Sequence, residues 1–488
     1  MTVQNEPLLK DMSLLKKAGY INGQWVNAKN GKTFDVINPA SGDVIASVAD
    51  LGKDEAKTAV IAAENAFLDW RKITAKQRAI LLRRWNDLIL ENQEDLARLM
   101  TFEQGKVIME SRLEIAYAAS FIEWFAEEGK RMNGDIIPAV ANDRRQLSIK
   151  QPIGVVGAIT PWNFPSAMIT RKCAPAFAAG CSFVCKPAAE TPLSALALCE
   201  LAERAGLPPG LLNVIPSTQA QEVGDVLTKD PIVKKFTFTG STPVGKHLLA
   251  QCASTVKKAS MELGGNAPVI IFEDADLEKA VLGALGSKYR NAGQTCICAN
   301  RILVQENIYN DFLKAFTEKV SEFILGDGLN ENNTMGPVIS EQAVHKIQAL
   351  VDDAKAKGAT IVTGGAQTQG QFFSPTIIAD VTEDMRLFSE EIFGPVAPVF
   401  TFKTEEDAIK MANDTPFGLA AYFYSRDIGR VWRVSEALDY GMIGANEVGI
   451  TSEVIPFGGW KESGLGREGS ACGIDEYLEI KYICMGGL

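Results

Sequence analysis

The stretch G-V-V-G-A-I-T, residues 154–160, followed by P-W-N-F-P-S, residues 161–166, decides the fold. A short apolar run closed by prolines and an asparagine fits a strand buried on both faces. Working outward, F-V-C-K from Phe183 reads as the next strand. T-P-L-S-A-L-A-L-C-E-L-A-E-R-A-G from Thr191 reads as a helix, with Thr191 at the N-cap, Pro192 at the first helical position and Gly206 at the C-terminus. L-L-N-V-I from Leu211 and V-K-K-F-T-F-T from Val233 read as strands, Pro243–Gln251 as a helix, and Pro268–Phe272 as a strand. Such alternation predicts an α/β fold built on a largely parallel sheet with helices on both faces.

The flanks extend this pattern. Before residue 50 the chain shows short strands and turns, from Tyr20, Phe34 and Val44. From Asp54 to about Arg131 apolar residues recur at three- and four-residue spacing, which predicts helices. R-Q-L-S-I-K-Q from Arg145 alternates and fits an exposed strand able to pair with a partner subunit. A second α/β region runs from about Leu277 to Arg433, with a helix from Tyr309 and a strand from Ala397. A glycine-rich stretch from Gly441 leads to a strand-like tail from Tyr477. At about 150 residues per domain, 488 residues imply three domains or fewer, larger ones.

Composition removes several function classes. Lys and Arg total 49 against 60 Asp and Glu, a formal charge of −11, which argues against a general nucleic-acid or anionic-membrane binder. With two histidines, His247 and His345, an imidazole-based zinc site or multi-histidine catalysis is not expected, and no metal is called for. Nine scattered cysteines cannot form a complete disulfide framework and point to a reducing compartment. M-T-V-Q-N-E-P-L-L-K-D at the start lacks a signal peptide's apolar core, and no apolar run has the roughly 18–20 residues of a membrane span. The expectation is a soluble, cytoplasmic protein.

Four segments carry chemistry. In G-Q-T-C-I-C-A-N-R from Gly293, Cys296 follows small and polar residues that suit an accessible nucleophile better than a core position. In M-E-L-G-G-N-A-P from Met261, Glu262 lies between apolar residues, where a carboxyl acquires a raised pKa and can act as a base near neutrality. In T-P-W-N-F-P-S, Asn163 stands beyond a strand's carboxyl end and can point its amide at a developing oxyanion. In F-T-F-T-G-S-T-P-V-G from Phe236, free amides and hydroxyls at a helix start can bind phosphate. Each segment taken alone also fits a structural role: a buried thiol, a salt-bridged glutamate, a turn asparagine, an ordinary turn.

Together with K-P-A from Lys186, E-E-I-F-G-P from Glu390 and the run P-F-G-G-W-K-E-S-G-L-G-R-E-G-S from Pro456, these segments resemble the aldehyde dehydrogenase superfamily, in that family's order, from about Tyr20 to Leu488. The C-terminal run and the ending Y-L-E-I-K-Y look like its branch acting on succinate or glutarate semialdehyde. The resemblance implies a Rossmann-like parallel-sheet cofactor domain (residues 1–133 and 153–264), an α/β catalytic domain (265–465) and a small β oligomerisation arm (134–152 and 466–488). It implies NAD(P)-dependent oxidation of succinate semialdehyde to succinate through a cysteine thiohemiacetal and thioester. The alternatives are a glutarate-semialdehyde dehydrogenase or a broader aldehyde dehydrogenase.

Residue by residue, the resemblance makes Cys296 the nucleophile, Asn163 an oxyanion donor and Glu262 the base for thioester hydrolysis, with Lys172 and Glu468 assisting proton transfer. Trp162, Lys186, Ser241, Thr242 and Leu263 are expected at the cofactor, Glu391 at the nicotinamide ribose and Phe393 near its ring. Ala189 stands where NAD-preferring members often carry a glutamate, so NADP is favoured over NAD unless Glu190 substitutes. Arg171, Arg290 and Ser452 match the positions that hold the distal carboxylate. Cys298 is expected to be a small neighbour of the nucleophile rather than a disulfide partner, because a C-x-C loop is strained. S-A-C-G from Ser470 departs from the S-K-Y-G common in the branch, with an effect left open. Partners are expected to be a small semialdehyde and further copies of the chain, as a homodimer or homotetramer. A cysteine hydrolase is disfavoured because neither histidine lies in a motif. A non-catalytic relative is disfavoured because every central motif residue is present. An enzyme for apolar aldehydes would not need the two arginines.

Overall fold

A computed structural model describes residues 8–487. The stretch Met1–Pro7, most of the segment read above as lacking a leader's core, lies outside the described residues, as does Leu488. The largest sheet has eight strands in the order Gln24–Val26, Gly19–Ile21, Leu212–Val214, Ser182–Lys186, Val155–Ile159, Val233–Thr239, Lys258–Glu262 and Gly464–Leu465. The five from Leu212–Val214 to Lys258–Glu262 run parallel, and antiparallel strands close both edges. Val155, Val156, Phe183, Val184 and Phe236 are fully covered, as continuous apolar runs in a parallel sheet require.

The chain proceeds from Val155–Ile159 through Ser182–Lys186 to Leu212–Val214 on one side, then crosses to Val233–Thr239 and Lys258–Glu262 on the other. A crevice therefore opens beyond the carboxyl ends of Val155–Ile159 and Val233–Thr239, where ligands of open α/β sheets bind. The register brings Ile159 opposite both Lys186 and Phe238, and Thr239 opposite Glu262. One edge thus presents the loops that start at Thr160, Pro187, Gly240 and Leu263.

A second sheet of seven strands holds Ala267–Ile271 and Ala299–Gln305 side by side and parallel. Its amino edge faces the carboxyl edge of the first sheet, because the short link Leu263–Asn266 joins Glu262 of one to Ala267 of the other. A third sheet pairs Arg144–Pro152 with Leu478–Gly486 over nine residues, with Ile136–Ile137 on its outer side.

Two details differ from the sequence reading. Thr191 occupies the N-cap position of the Pro192–Ala205 helix as expected, but its hydroxyl makes no capping bond and is buried with no hydrogen-bond partner among the described residues. The carboxylate of Glu103, from the Gln93–Gln104 helix, accepts the Leu193 and Ser194 amides at 2.8 and 2.7 Å instead. Gly464–Leu465 hydrogen-bonds to Lys258–Glu262 of the first sheet, although the sequence-based boundary at residue 465 grouped it with the second region.

Candidate active site

The Leu277–Tyr289 helix, capped by Asp276, ends in a tight loop before Cys296. Asn291, Ala292 and Gly293 are all left-handed, with φ of 52°, 53° and 76°. For the two non-glycine residues this conformation costs on the order of 1–3 kcal/mol each. At Gly293 a Cβ would lie 2.1 Å from the Gly394 carbonyl, so only glycine fits. Side chains hold the loop in place. Gln294 donates to the Asn291 carbonyl at 3.0 Å and accepts the Ile339 amide at 2.9 Å. Asn163 Nδ2 donates to the Gln294 carbonyl at 3.1 Å, and Asn291 Nδ2 donates to the Asn163 carbonyl at 3.1 Å.

This geometry puts Cys296 and Asn163 on the wall of one cavity of about 560 Å³, together with Trp162, Leu263, Glu391 and Phe393. The Cys296 amide donates to no protein acceptor among the described residues. Asn163 uses one amide hydrogen on Gln294 and keeps the second. Cys296 is half-buried, and burial followed by the charge of Glu262 pushes its thiol up to about 12, against a downward pull from Arg171. The resting thiol is therefore neutral and needs a base.

Glu262, at the last position of its strand, is almost fully buried, and neither carboxyl oxygen has a hydrogen-bond partner among the described residues. Burial first, then the neighbouring Glu468, holds its pKa well above the usual carboxylate range. Glu468 forms an ion pair with Lys172 and a second with Arg171 Nε at 2.7 Å. All three side chains are buried. Arg171 is held between the rings of Phe121 and Phe457, at 5.2 and 4.1 Å, and its Nη2 has no partner among the described residues. Arg290 lies 5.0 Å from the centre of the Phe164 ring.

The cofactor-side residues surround the same crevice. Gly264 N donates to Thr242 Oγ1 at 3.2 Å, and Gly265 N donates to Glu391 Oε1 at 2.9 Å. A Cβ on Gly264 would lie 3.0 Å from Glu391 Oε2 and 3.2 Å from Thr242 Oγ1, so the glycine keeps a slot open. Phe393, itself left-handed, meets Trp162 edge to face at 5.5 Å. Ser241 is exposed at the cavity rim. Lys186 lines a neighbouring cavity of about 370 Å³ with Gly224, Val244 and His247. Glu190 stands on the larger cavity and Ala189 on neither.

Residues 25–483 match the sequence pattern of the aldehyde dehydrogenase family. The chain belongs to that family. It is 57% identical over 480 residues to the succinate-semialdehyde dehydrogenase [NADP(+)] GabD of Escherichia coli (strain K12), covering 98% of this chain and 99% of that one. It is equally identical, over 477 residues, to a glutarate-semialdehyde dehydrogenase of Pseudomonas putida, covering 98% and 99%. A crystal structure of an E. coli NADP-dependent enzyme superposes with a TM-score of 0.97 at 57% identity, covering 98% of this chain and all of that one. The protein is thus an oxidoreductase with an aldehyde dehydrogenase fold, as its motifs implied.

Within this aldehyde dehydrogenase, the structure brings together Cys296, Glu262, Asn163, Lys172, Glu468, Arg171, Leu263, Glu391, Phe393, Trp162, Ser241 and Thr242. Lys186 and Ala189 lie along the same strand edge. Ser452 is half-buried and makes no side-chain hydrogen bond among the described residues. Cys298 is a buried free thiol that donates to the Lys288 carbonyl at 3.0 Å.

Sequence reading missed Lys106, Glu110 and Glu114. Lys106 donates to Glu114 and, at 2.7 Å, to the Asn163 carbonyl. Glu114 also accepts the Ser166 amide at 3.0 Å, at the start of the helix bearing Arg171 and Lys172. Glu110 accepts the Asn291 amide at 2.9 Å. The available signal was the four-residue spacing of Glu110 and Glu114, which puts both carboxylates on one face of the Ile108–Glu128 helix. Among the described residues no group of three or more His, Cys, Asp or Glu side chains is placed to hold a metal ion, and no helix is long and apolar enough to cross a membrane.

Proposed function

We propose that the protein oxidises succinate semialdehyde to succinate, with NADP or NAD as hydride acceptor and water as the source of the added oxygen. The observation that carries this reading is Arg171: a buried guanidinium with an unpaired Nη2, close enough to Cys296 to draw its thiol pKa down. An aldehyde with a carboxylate at its far end satisfies both ends of that arrangement. The relatives named for succinate and glutarate semialdehyde support the substrate class. Glutarate semialdehyde is the second reading, one methylene longer.

Glu262 takes the Cys296 thiol proton and passes it on through Lys172 and Glu468, and the thiolate attacks the aldehyde carbon to give a thiohemiacetal. The free hydrogen of Asn163 Nδ2 and the Cys296 amide hold its oxyanion. A nicotinamide held by Glu391 and Phe393 would supply the hydride acceptor, and loss of hydride from the thiohemiacetal carbon leaves a thioester on Cys296. Glu262 takes a proton from the attacking water, the carboxylate leaves and the thiol is restored. Lys172 and Glu468 lie beside Glu262 and can relay that proton.

The cofactor fits the residues present. Gly264 leaves a slot against Glu391 and Thr242, and the second cavity beside Lys186 continues along the strand edge. Trp162, Lys186, Ser241, Thr242, Leu263, Glu391 and Phe393 would hold the dinucleotide, with Ala189 admitting a 2′-phosphate. The cofactor domain comprises residues 1–133 and 153–264 plus the Gly464–Leu465 strand, and the catalytic domain most of 265–465. The arm formed by Ile136–Ile137, Arg144–Pro152 and Leu478–Gly486 exposes Ile136, Ile480 and Tyr482, which suits assembly into a homodimer or homotetramer. The test is a steady-state comparison of succinate semialdehyde, glutarate semialdehyde and butanal with both cofactors. Equal efficiency for butanal and the semialdehydes overturns the reading.

A further inference from the structure

Tyr117 lies on the Ile108–Glu128 helix, which packs against the helix bearing Arg171. Its ring meets Phe121 edge to face at 4.9 Å, and Phe121 is also one of the two rings that hold the Arg171 guanidinium. Tyr117 and Arg171 therefore share a wall. The Tyr117 hydroxyl is buried and has no hydrogen-bond partner among the described residues. Arg171 Nη2, beside it, is in the same condition. A buried donor left without an acceptor is destabilising. Two of them together, with no protein acceptor, describe a place made for an acceptor-only group.

The surroundings agree. The positive charges of Arg171 and Arg290 both act on the Tyr117 phenol, and the Thr451 side chain lies beside its oxygen. Arg290 forms no ion pair among the described residues, whereas Arg171 is only partly offset by Glu468 at its Nε end. A carboxylate placed there accepts from Arg171 Nη2 and from a phenol O–H and brings the missing negative charge.

We propose that Tyr117 is a substrate-binding residue whose phenol O–H donates to the distal carboxylate of the semialdehyde alongside Arg171. The inference rests on the semialdehyde-acid reading above and adds a neutral donor that reads the anion's oxygen.

The test is Tyr117→Phe, which keeps the ring against Phe121 and removes one oxygen. Wild type and variant are compared with succinate semialdehyde and butanal at saturating cofactor. The expected result is a loss of about tenfold or more in kcat/KM for succinate semialdehyde, mainly through KM, with butanal unchanged within about twofold. Binding of succinate, followed by thermal shift without turnover, should weaken in parallel. If both aldehydes lose equally, Tyr117 is structural and the proposal falls. If neither changes in a wild type that does prefer the semialdehyde, the carboxylate is read by the arginines alone and the proposal falls while the substrate assignment stands. If the wild type shows no preference, both fall.

Discussion

Asn163 and Gln294, 131 positions apart, are joined by a hydrogen bond of 3.1 Å from the Asn163 side-chain amide to the Gln294 carbonyl. The residue that can stabilise the oxyanion is thus tied to the loop carrying the nucleophile. Asn163→Ala should lose an oxyanion donor and slacken the Cys296 loop. A fall in kcat of about 10²–10³ is expected, with cofactor affinity retained. Stopped-flow measurement of the hydride burst checks it. Cys296→Ala should abolish the burst altogether while the folded protein still binds NADP.

Glu262 supplies the pH dependence. Burial first, then Glu468, raises its pKa, so its base form gains population at higher pH than that of an ordinary carboxylate. Raising the pH converts it to the active base, and the Cys296 thiol, pushed up to about 12, shifts in the same direction. Deacylation should therefore climb with pH over a range above that of an ordinary carboxylate. Glu262→Gln should lower it by about 10²–10⁴ and flatten that climb. An unchanged pH profile in the variant would remove Glu262 from the role.

The proposed preference for NADP is tested at Ala189. Without a carboxylate there, NADP should bind at least as well as NAD. Ala189→Glu should reduce efficiency with NADP by about tenfold or more, because a fixed negative charge then faces the 2′-phosphate. The ratio of kcat/KM for the two cofactors is the readout. A wild type that does not use NADP would direct attention to Glu190, whose charge acts on Lys186.

How much of this was legible in the sequence follows from the range of the interactions. The buried strands from Val155, Ser182 and Val233 are contiguous apolar runs, so local pattern suffices to find them. The glycines of M-E-L-G-G-N mark a close approach, and Gly264 and Gly265 make it. The left-handed turn at Asn291 and Ala292 was not legible, because neither residue type demands it; the bonds from Gln294 and Glu110 impose it. Thr191 had the right chemistry and position for a cap, but the capping bonds come from Glu103, nearly 90 residues away. Lys106 and Glu114 are close in sequence, but their bonds to the Asn163 carbonyl and the Ser166 amide tie their segment to a loop more than 50 positions away. Lys106→Met should test that tie. Glu114 would be left as an uncompensated buried charge, at a cost of about 3–5 kcal/mol of stability by denaturant unfolding.

Arg171 bears the most exposed expectation. Its guanidinium contacts Glu468 at 2.7 Å, yet neither Arg171 Nε nor Glu468 Oε2 meets hydrogen-bond geometry. The contact is electrostatic and leaves the Nη2 end free. A substrate carboxylate bound there gains a charged hydrogen bond in a desolvated pocket, worth roughly 2–5 kcal/mol. Arg171→Ala should therefore lower kcat/KM for succinate semialdehyde on the order of 30-fold or more, at about 1.4 kcal/mol per factor of ten. Arg290→Ala should act in the same direction, and Ser452→Ala more weakly, since it removes a neutral donor. Butanal, with no carboxylate, should lose far less in each variant. Arg171 also stands beside Lys172 and near Glu262, so its removal disturbs the acid–base groups for every aldehyde. The ratio of the two efficiencies cancels that shared effect and isolates the carboxylate. A ratio unchanged in both arginine variants would place the anion elsewhere in the cavity and leave Arg171 as a partner of Glu468 alone.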